Sequence, residues 1–457
     1  MSTETAASSI TSEPAAARRK RVQAGLGRRH RNEMIFRGLG IAAIVLALGF
    51  VAVLFTTILS KGLPAFTQAT MHLDVTYDPA LIKLDPKPIQ QQGQSDADFR
   101  GESLRWQRTV AMLNWNKITE AAVRDALPPG FEIDTRSVLS LVSTSERLKL
   151  RDRFVEDPNL LGQTVSVNLL ASADADNWLK GTIDRSLPDN RQQLSAPARE
   201  AADLLREEGV ITFDFAWTIF TNVDSRAAPA SAGLAGAFMG SLYMMLIVIV
   251  LAVPIGVASA IYLEEFAPKS RITDLIEVNI NNLAAVPSIV FGLLGAAVFI
   301  NYFHLPLSAP LVGGLVLTLM TLPTIIIATR GALRGVPPSL RQAALGLGAS
   351  KTQTVFHHIL PVTFPSILTA TIIGVAQALG ETAPLLLIGM NAFVANIPAS
   401  PMDQATALPV QVFLWQGNEN RNFFEARTSA AIIVLLGLMI MLNAIAIFLR
   451  SRLERRA

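Results

Sequence analysis

No cysteine occurs anywhere in the 457 residues, so disulfides, thiolate ligands and thiol nucleophiles are all excluded. Histidine is scarce. His30, His72, His304, His357 and His358 contain no HExxH and no pair at i, i+4, which removes the common zinc arrangements. His357 and His358 are adjacent and point to different sides of a helix, as interfacial polar residues do. There is no Gly-x-Ser-x-Gly elbow and no defensible pairing of carboxylates, so the chain reads as a non-enzyme without a metal. Charge is also sparse: 16% of residues are charged against 51% hydrophobic, a balance that belongs to membrane proteins. No low-complexity tract or repeat of 20 to 50 residues is present, although the first 17 residues, rich in Ala, Ser and Thr, are expected to be disordered.

What the chain has is long apolar runs. Six are of span length, at 39–60, 237–262, 283–303, 309–329, 362–389 and 428–449, against the roughly 20 helical residues that a hydrocarbon core demands. Pro287 and Pro323 lie near or inside them, which helix bundles tolerate in lipid. Arg18, Arg19, Lys20, Arg21, Arg28, Arg29, Arg31 and Arg37 precede the first run, and Arg450, Arg452, Arg455 and Arg456 follow the last. Basic flanks resist translocation, so both termini are expected in the cytoplasm, with 301–308 and 390–427 facing out. The same tails explain the net charge of +3 and suit anionic lipid rather than nucleic acid. The basic region is long and the first run is span-length, so a cleavable signal peptide is not expected.

Residues 61–230 form a polar insertion after the first run, large enough for a separate mixed α/β domain. "EEGVITFDFAWTIF" and "TVSVNLLAS" read as strands, and "ESLRWQRTVAMLNWNKI" and "APAREAADLLREEG" as helices. Its slight excess of acid over base argues against capture of an anion by simple attraction.

The stretch "LGLGASKTQTVFHHILP" at 345–361 imitates a phosphate-binding loop but fails it. Gly346 and Gly348 are two apart, Ala349 and Ser350 precede Lys351, and no apolar β-run comes before them. Leu340, Ala343, Ala344 and Leu347 instead fall at i, i+3, i+4, i+7, the stripe of an amphipathic helix that Pro337 and Pro338 start and Gly348 ends. Ser350 and Gln353 form a capping box for a second helix, striped by Thr352, Val355, Phe356 and Ile359 and expected to stop at Pro361. This helix, glycine turn and helix is tied to two spans, and its stripe must be buried against the bundle or a soluble partner. In the fifth span, Gln377 and Glu381 stand in apolar sequence. A carboxylate there costs roughly 2.5–3.5 kcal/mol on insertion scales, so it serves a polar path or braces a helix broken by Gly380 and Pro384. Gly236 and Gly240 permit close helix approach, read as packing within one bundle.

These residues resemble a known family. "RQAALGLGASKTQTVFHHILP" resembles the coupling loop of ABC-transporter permeases, in which Glu-Ala-Ala, three residues, Gly, nine residues and Ile-x-Leu-Pro recur. Ala343, Ala344, Gly348, Leu360 and Pro361 match, while Gln342 replaces the Glu and His358 the Ile. With "QALGETAPLL" and "ALPVQVFLW", the region 230–450 is similar to PstA-type permeases of phosphate importers. Members typically lack the insertion. The resemblance implies an all-α polytopic bacterial inner-membrane protein with six transmembrane helices and a type I importer core. Its parts would be a basic, mostly disordered tail at 1–38, a first span at 39–60, a periplasmic domain at 61–230, a permease core at 231–450 with its coupling loop at 331–361, and a basic tail at 451–457. It implies a PstC-like second permease, a dimer of PstB-like ATPases that holds the ATP and Mg, a PstS-like phosphate-binding protein, and no cofactor on this chain. Arg341, Gln342, Ala343, Ala344, Gly348, Leu360 and Pro361 would couple to the ATPase, and Gln377, Glu381 and Thr382 would line the path. Gln377 stands where many relatives carry an arginine, so the permeant's positive partner would come from the second permease or from backbone donors. Rival readings are a permease for sulfate or molybdate and a membrane sensor using the insertion. The short tails leave no room for a signalling module.

Overall fold

The computed structural model describes residues 15–392 and 394–454, in two units, 1–60 and 61–457. In the first, helix α1 (Ala15–Gly62) rises out of the basic region and continues through the apolar run. Residues 15–38, read from sequence as a mostly disordered tail, are therefore helical. They hold seven arginines and four alanines, good helix formers, and no proline. Residues 1–14 and 455–457 lie outside the described residues.

The second unit begins with a 3₁₀ turn at Leu63–Phe66 and enters the insertion through β1 (Thr67–Thr76). Helices α2 (Asp96–Met112), α3 (Trp115–Asp125), α4 (Thr135–Leu141) and α5 (Glu146–Glu156) follow, then β2 (Thr164–Leu170), α6 (Ala173–Lys180), α7 (Ala196–Glu207), β3 (Ile211–Phe215) and α8 (Thr218–Thr221). The sheet is antiparallel in the order β2-β1-β3, with Leu73 opposite Val167 and Met71 opposite Ile211. His72 ties the three strands together, one ring nitrogen 2.7 Å from Asn168 Oδ1 and the other 2.8 Å from Thr212 Oγ1. Tyr77, Trp106, Trp115 and Phe154 pack ring against ring in the core of this domain. Replacing Phe154 by alanine is expected to remove about 3–5 kcal/mol from the domain's stability, read as a lower-temperature loss of near-ultraviolet circular dichroism in the full chain.

Two sequence readings differ here. The single helix at 102–118 breaks at Leu113 and Asn114, where Trp115 turns its indole N–H onto Val110 O at 2.9 Å. The strand read at 207–220 ends at Phe215, because Ala216 N–H donates sideways to Phe66 O at 2.8 Å and Trp217 opens α8.

The bundle comprises α9 (Ala235–Ile261), continued by a π turn to Phe266, α10 (Arg271–Ala284), α11 (Ser288–Gly295), continued by a π turn to Tyr302, and α12 (Pro310–Arg334). Beyond these lie α13 (Pro338–Gly346), α14 (Lys351–Gln353), α15 (Leu360–Gly380), α16 (Ala383–Leu387), α17 (Leu408–Gln416) and α18 (Arg421–Glu454). Small residues set the helix distances. A Cβ on Gly313 would lie 2.5 Å from Met244 Sδ, and one on Gly240 would lie 2.1 Å from Thr406 O. Gly240→Ala is accordingly expected to prevent α9 from seating against 405–408, detected as a lower yield of folded, monodisperse protein.

Among the described residues, five helices are long and apolar enough to cross a membrane, and a sixth crossing requires treating α10 and α11 as one bent pair. The run 283–303 is not a single straight span, because a bend of 101° falls between α10 and α11. Pro287 is the reason: it cannot extend α10, and it starts α11 instead. The run 362–389 likewise stops at Gly380, with Glu381 extended (φ −76°, ψ 130°) before the short α16.

The insertion meets the bundle through buried polar contacts. Asp176 accepts from Ala69 N–H and from Lys180 Nζ, each at 2.7 Å, and Arg427 of α18 donates to the carbonyls of Ala230 (3.0 Å) and Ala232 (2.5 Å). Burial pulls the Lys180 ammonium below its ordinary pKa, opposed by Asp176, and burial pushes Asp174 above its own, opposed by the Asn420 amide.

Candidate functional site

Helix α13 starts behind Pro337 and ends as a closed cap: Leu347 N–H donates to Ala343 O, Gly348 N–H to Leu345 O, and Ala349 N–H to Ala344 O. Gly348 has φ +87°, so any L side chain here is strained although nothing lies within 4 Å of its Cβ position. Ser350 then caps α14 with the full capping box, Ser350 N–H to Gln353 Oε1 at 2.9 Å and Gln353 N–H to Ser350 Oγ at 3.2 Å. The Lys351 ammonium sits over the Phe266 ring, 5.6 Å from its centre.

The helix after the turn does not stop at Pro361. A π turn at Thr354–Ile359 precedes the proline and α15 continues from Leu360, so Lys351–Gly380 is one 30-residue helical rod. Proline lacks an N–H and crowds the preceding turn. The widened turn, in which Leu360 N–H reaches Val355 O, accommodates it.

The apolar stripe of α13 is divided. Ala344 is buried, and the half-buried Leu340 packs with Val355 and Ile359 on Ile261, Leu333 and Val336. Ala343 is exposed, and Leu347 is 90% exposed beside Leu345 and Phe356, which are about half exposed. One face pins the turn to the bundle and the other is presented outward.

Arg341 belongs to the pinning face. Its guanidinium donates to Val336 O, Leu333 O and Glu265 Oε1, all at 2.8 Å. Gln342 is exposed, Gly348 sits at the tip of the turn, and Leu360 and Pro361 are half-buried at its root. Behind them lies an ion cluster that the sequence reading missed. Arg330 reaches Glu264 at 3.2 Å and Glu277 at 2.8 Å, and Arg334 reaches the same two carboxylates at 3.0 and 3.4 Å. The one local signal was Arg330 and Arg334 at i, i+4 on the end of a span; their partners lie 53 to 70 residues away. This cluster ties α10 and the end of α9 to α12, directly above the turn. Arg330→Met is expected to free α10, read as faster amide exchange over 271–284.

Gln377, Glu381 and Thr382 are not brought together with these residues; they lie at the other end of α15. Gln377 is exposed, Glu381 and Thr382 are half-buried, and none of the three side chains has a hydrogen-bond partner among the described residues. They mark the break between α15 and α16 with polar groups that no described residue satisfies. Among the described residues, no group of His, Asp and Glu side chains could hold a metal ion.

Residues 252–457 match the family described as binding-protein-dependent transport system inner membrane component, and residues 23–189 match a domain model described only as of unknown function. The phosphate transport system permease protein PstA of Xylella fastidiosa strain Temecula1 is 30% identical over 233 residues, 48% of this chain and 76% of that protein. The probable ABC transporter permease proteins YqgI and YqgH of Bacillus subtilis are 34% identical over 168 residues (36% of this chain) and 32% over 197 residues (41%). This chain spans 56% and 62% of those two proteins' lengths. A solved structure titled as an amino acid ABC transporter with histidines aligns over 49% of this chain and 93% of its own, at 20% identity and a TM-score of 0.36.

Proposed function

The chain belongs to the PstA family of binding-protein-dependent transport permeases, and on that premise we propose that it is one membrane subunit of an ATP-driven phosphate importer. The observation that carries the coupling mechanism is the turn around Gly348. It is fixed to two spans from behind by Arg341, Leu340 and the ion cluster, and it offers the apolar side chains of Leu345, Leu347 and Phe356, which nothing among the described residues covers. A dimer of PstB-like ATPases supplies that cover and binds the ATP and Mg; Lys351, stacked on Phe266, takes no nucleotide. A PstC-like permease completes the path and a PstS-like protein delivers phosphate from the periplasm. On this reading both termini and the turn lie in the cytoplasm of a bacterial inner-membrane protein and the 61–230 domain lies outside, the orientation that the basic flanks favour. The polar break at Gln377, Glu381 and Thr382 is the stretch of this chain that faces the permeant. The departure at Gln342 replaces a charged contact to the ATPase with a neutral hydrogen bond.

The test is uptake of radiolabelled phosphate by vesicles holding the four co-expressed components, native against Gly348→Asp. The substitution imposes about 1–2 kcal/mol of backbone strain on the turn and adds a charge at its tip. Uptake is expected to fall at least about tenfold, the equivalent of roughly 1.4 kcal/mol, with assembly retained. Undiminished uptake overturns the coupling role of the turn, and competition by sulfate or molybdate in place of phosphate overturns the substrate.

A further inference from the structure

We propose that one corner of the 61–230 domain, formed by Leu63, Phe66, Phe215, Trp217 and Phe220, is seated in the lipid headgroup layer, so that the domain is held against the membrane surface rather than standing clear of it. Two independent sets of contacts fix the height of this corner. On one side, Leu234 N–H donates to Ile219 O at 2.7 Å and Ala235 N–H to Asn222 O at 3.0 Å, which sets α8 level with the first residue of the span α9. On the other, Lys61 Nζ meets Glu425 Oε1 at 2.5 Å, and a Cβ on Gly62 would lie 2.9 Å from the Ser429 carbonyl carbon, which sets the start of the Leu63–Phe66 turn beside the beginning of the span in α18. The Ala216 N–H bond to Phe66 O joins the two sides. The corner therefore lies where the bundle leaves the hydrocarbon.

Its chemistry fits that depth. Phe66, Phe215 and Phe220 stack with centroids 6.1–6.4 Å apart, and Trp217 packs edge-on to Phe215 at 4.8 Å. Leu63, Phe215, Trp217 and Phe220 are 44–66% exposed, a contiguous apolar patch that water disfavours. None of the five residues is charged. The Trp217 indole N–H has no acceptor among the described residues, leaving it free for a lipid ester or phosphate oxygen. An aromatic body with one polar handle is the side chain that concentrates at membrane interfaces.

Trp217 also provides the test. The other four tryptophans, Trp106, Trp115, Trp178 and Trp415, are at most 7% exposed, so the difference in emission between the native chain and Trp217→Phe isolates this one indole. The full chain, assembled with its partner subunits, is reconstituted in phosphatidylcholine–phosphatidylglycerol vesicles carrying bromine at defined acyl-chain depths. Loss of the Trp217 emission is expected with bromine near the glycerol end, less with bromine at the chain terminus, and none with aqueous iodide. Quenching by iodide but not by bromine overturns the proposal in favour of open water. Insensitivity to both overturns it in favour of a protein partner covering the patch. The readout is independent of which anion is carried.

Discussion

Arg427→Met is expected to destabilise the protein by roughly 3–5 kcal/mol, seen as a lower midpoint of thermal unfolding in detergent or nanodiscs. Arg427 is 2% exposed, and its forked guanidinium satisfies the carbonyls of both Ala230 and Ala232 in the segment that leads from the insertion into α9. Its side chain also lies over the Phe423 ring, at 5.0 Å, and its charge faces Asp176. Methionine keeps the length and the contact with the ring but orphans the buried Ala232 carbonyl, leaves the Ala230 carbonyl to the Gln68 amide, and removes a positive charge facing Asp176. Lysine at 427 should recover only part of the loss, since one ammonium cannot reproduce the planar fork. An unchanged midpoint for Arg427→Met would mean that water replaces the guanidinium at no cost and that the junction is not a stabilising element.

Leu347→Asp is expected to have the opposite profile, with normal folding and a loss of transport. At 90% exposure Leu347 buries almost nothing against its own chain, so the unfolding midpoint should not move. Under the proposed coupling mechanism the same side chain fills an apolar groove in the ATPase. Losing its burial costs about 1.5–3 kcal/mol and burying an unpaired carboxylate costs more, so phosphate uptake should fall at least about a hundredfold. Normal uptake with a normal midpoint would remove Leu347 from the interface, and a collapsed midpoint would show that the turn is held by contacts other than those described.

Much of this architecture was legible in the chain, for reasons that can be named. Hydropathy found the membrane segments because lipid permits few alternatives to a long apolar helix, and the capping box at Ser350 and the positive φ of Gly348 follow from local chemistry that the sequence carries in full. Strand β1 was legible and overlooked: the apolar residues Ala69, Met71, Leu73 and Val75 fall at every second position along it, and all four are buried. The breaks were harder to read. Pro287 ends a helix and bends the chain by 101°, Pro361 is absorbed by a π turn, and Gly380 terminates a span; three helix-disfavouring residues, three outcomes set by neighbouring packing. Of the ion cluster the sequence carried only the i, i+4 spacing of Arg330 and Arg334, since nothing local pairs Arg330 with Glu264 and Glu277. Arg341 illustrates the same limit, placed by resemblance among the coupling residues and found bracing the turn from behind.

The uninterrupted rod from Lys351 to Gly380 changes what the turn can transmit. Had the helix ended at Pro361, a displacement at Gly348 would have been taken up by bending at the proline. If the rod's about 45 Å moved as one piece, a tilt of about 5° at the turn would carry the far end through about 4 Å, with the π turn and Pro365 as the points where it would yield. That far end is the break at Glu381, so the residues most distant from the turn along the rod are the ones that travel furthest.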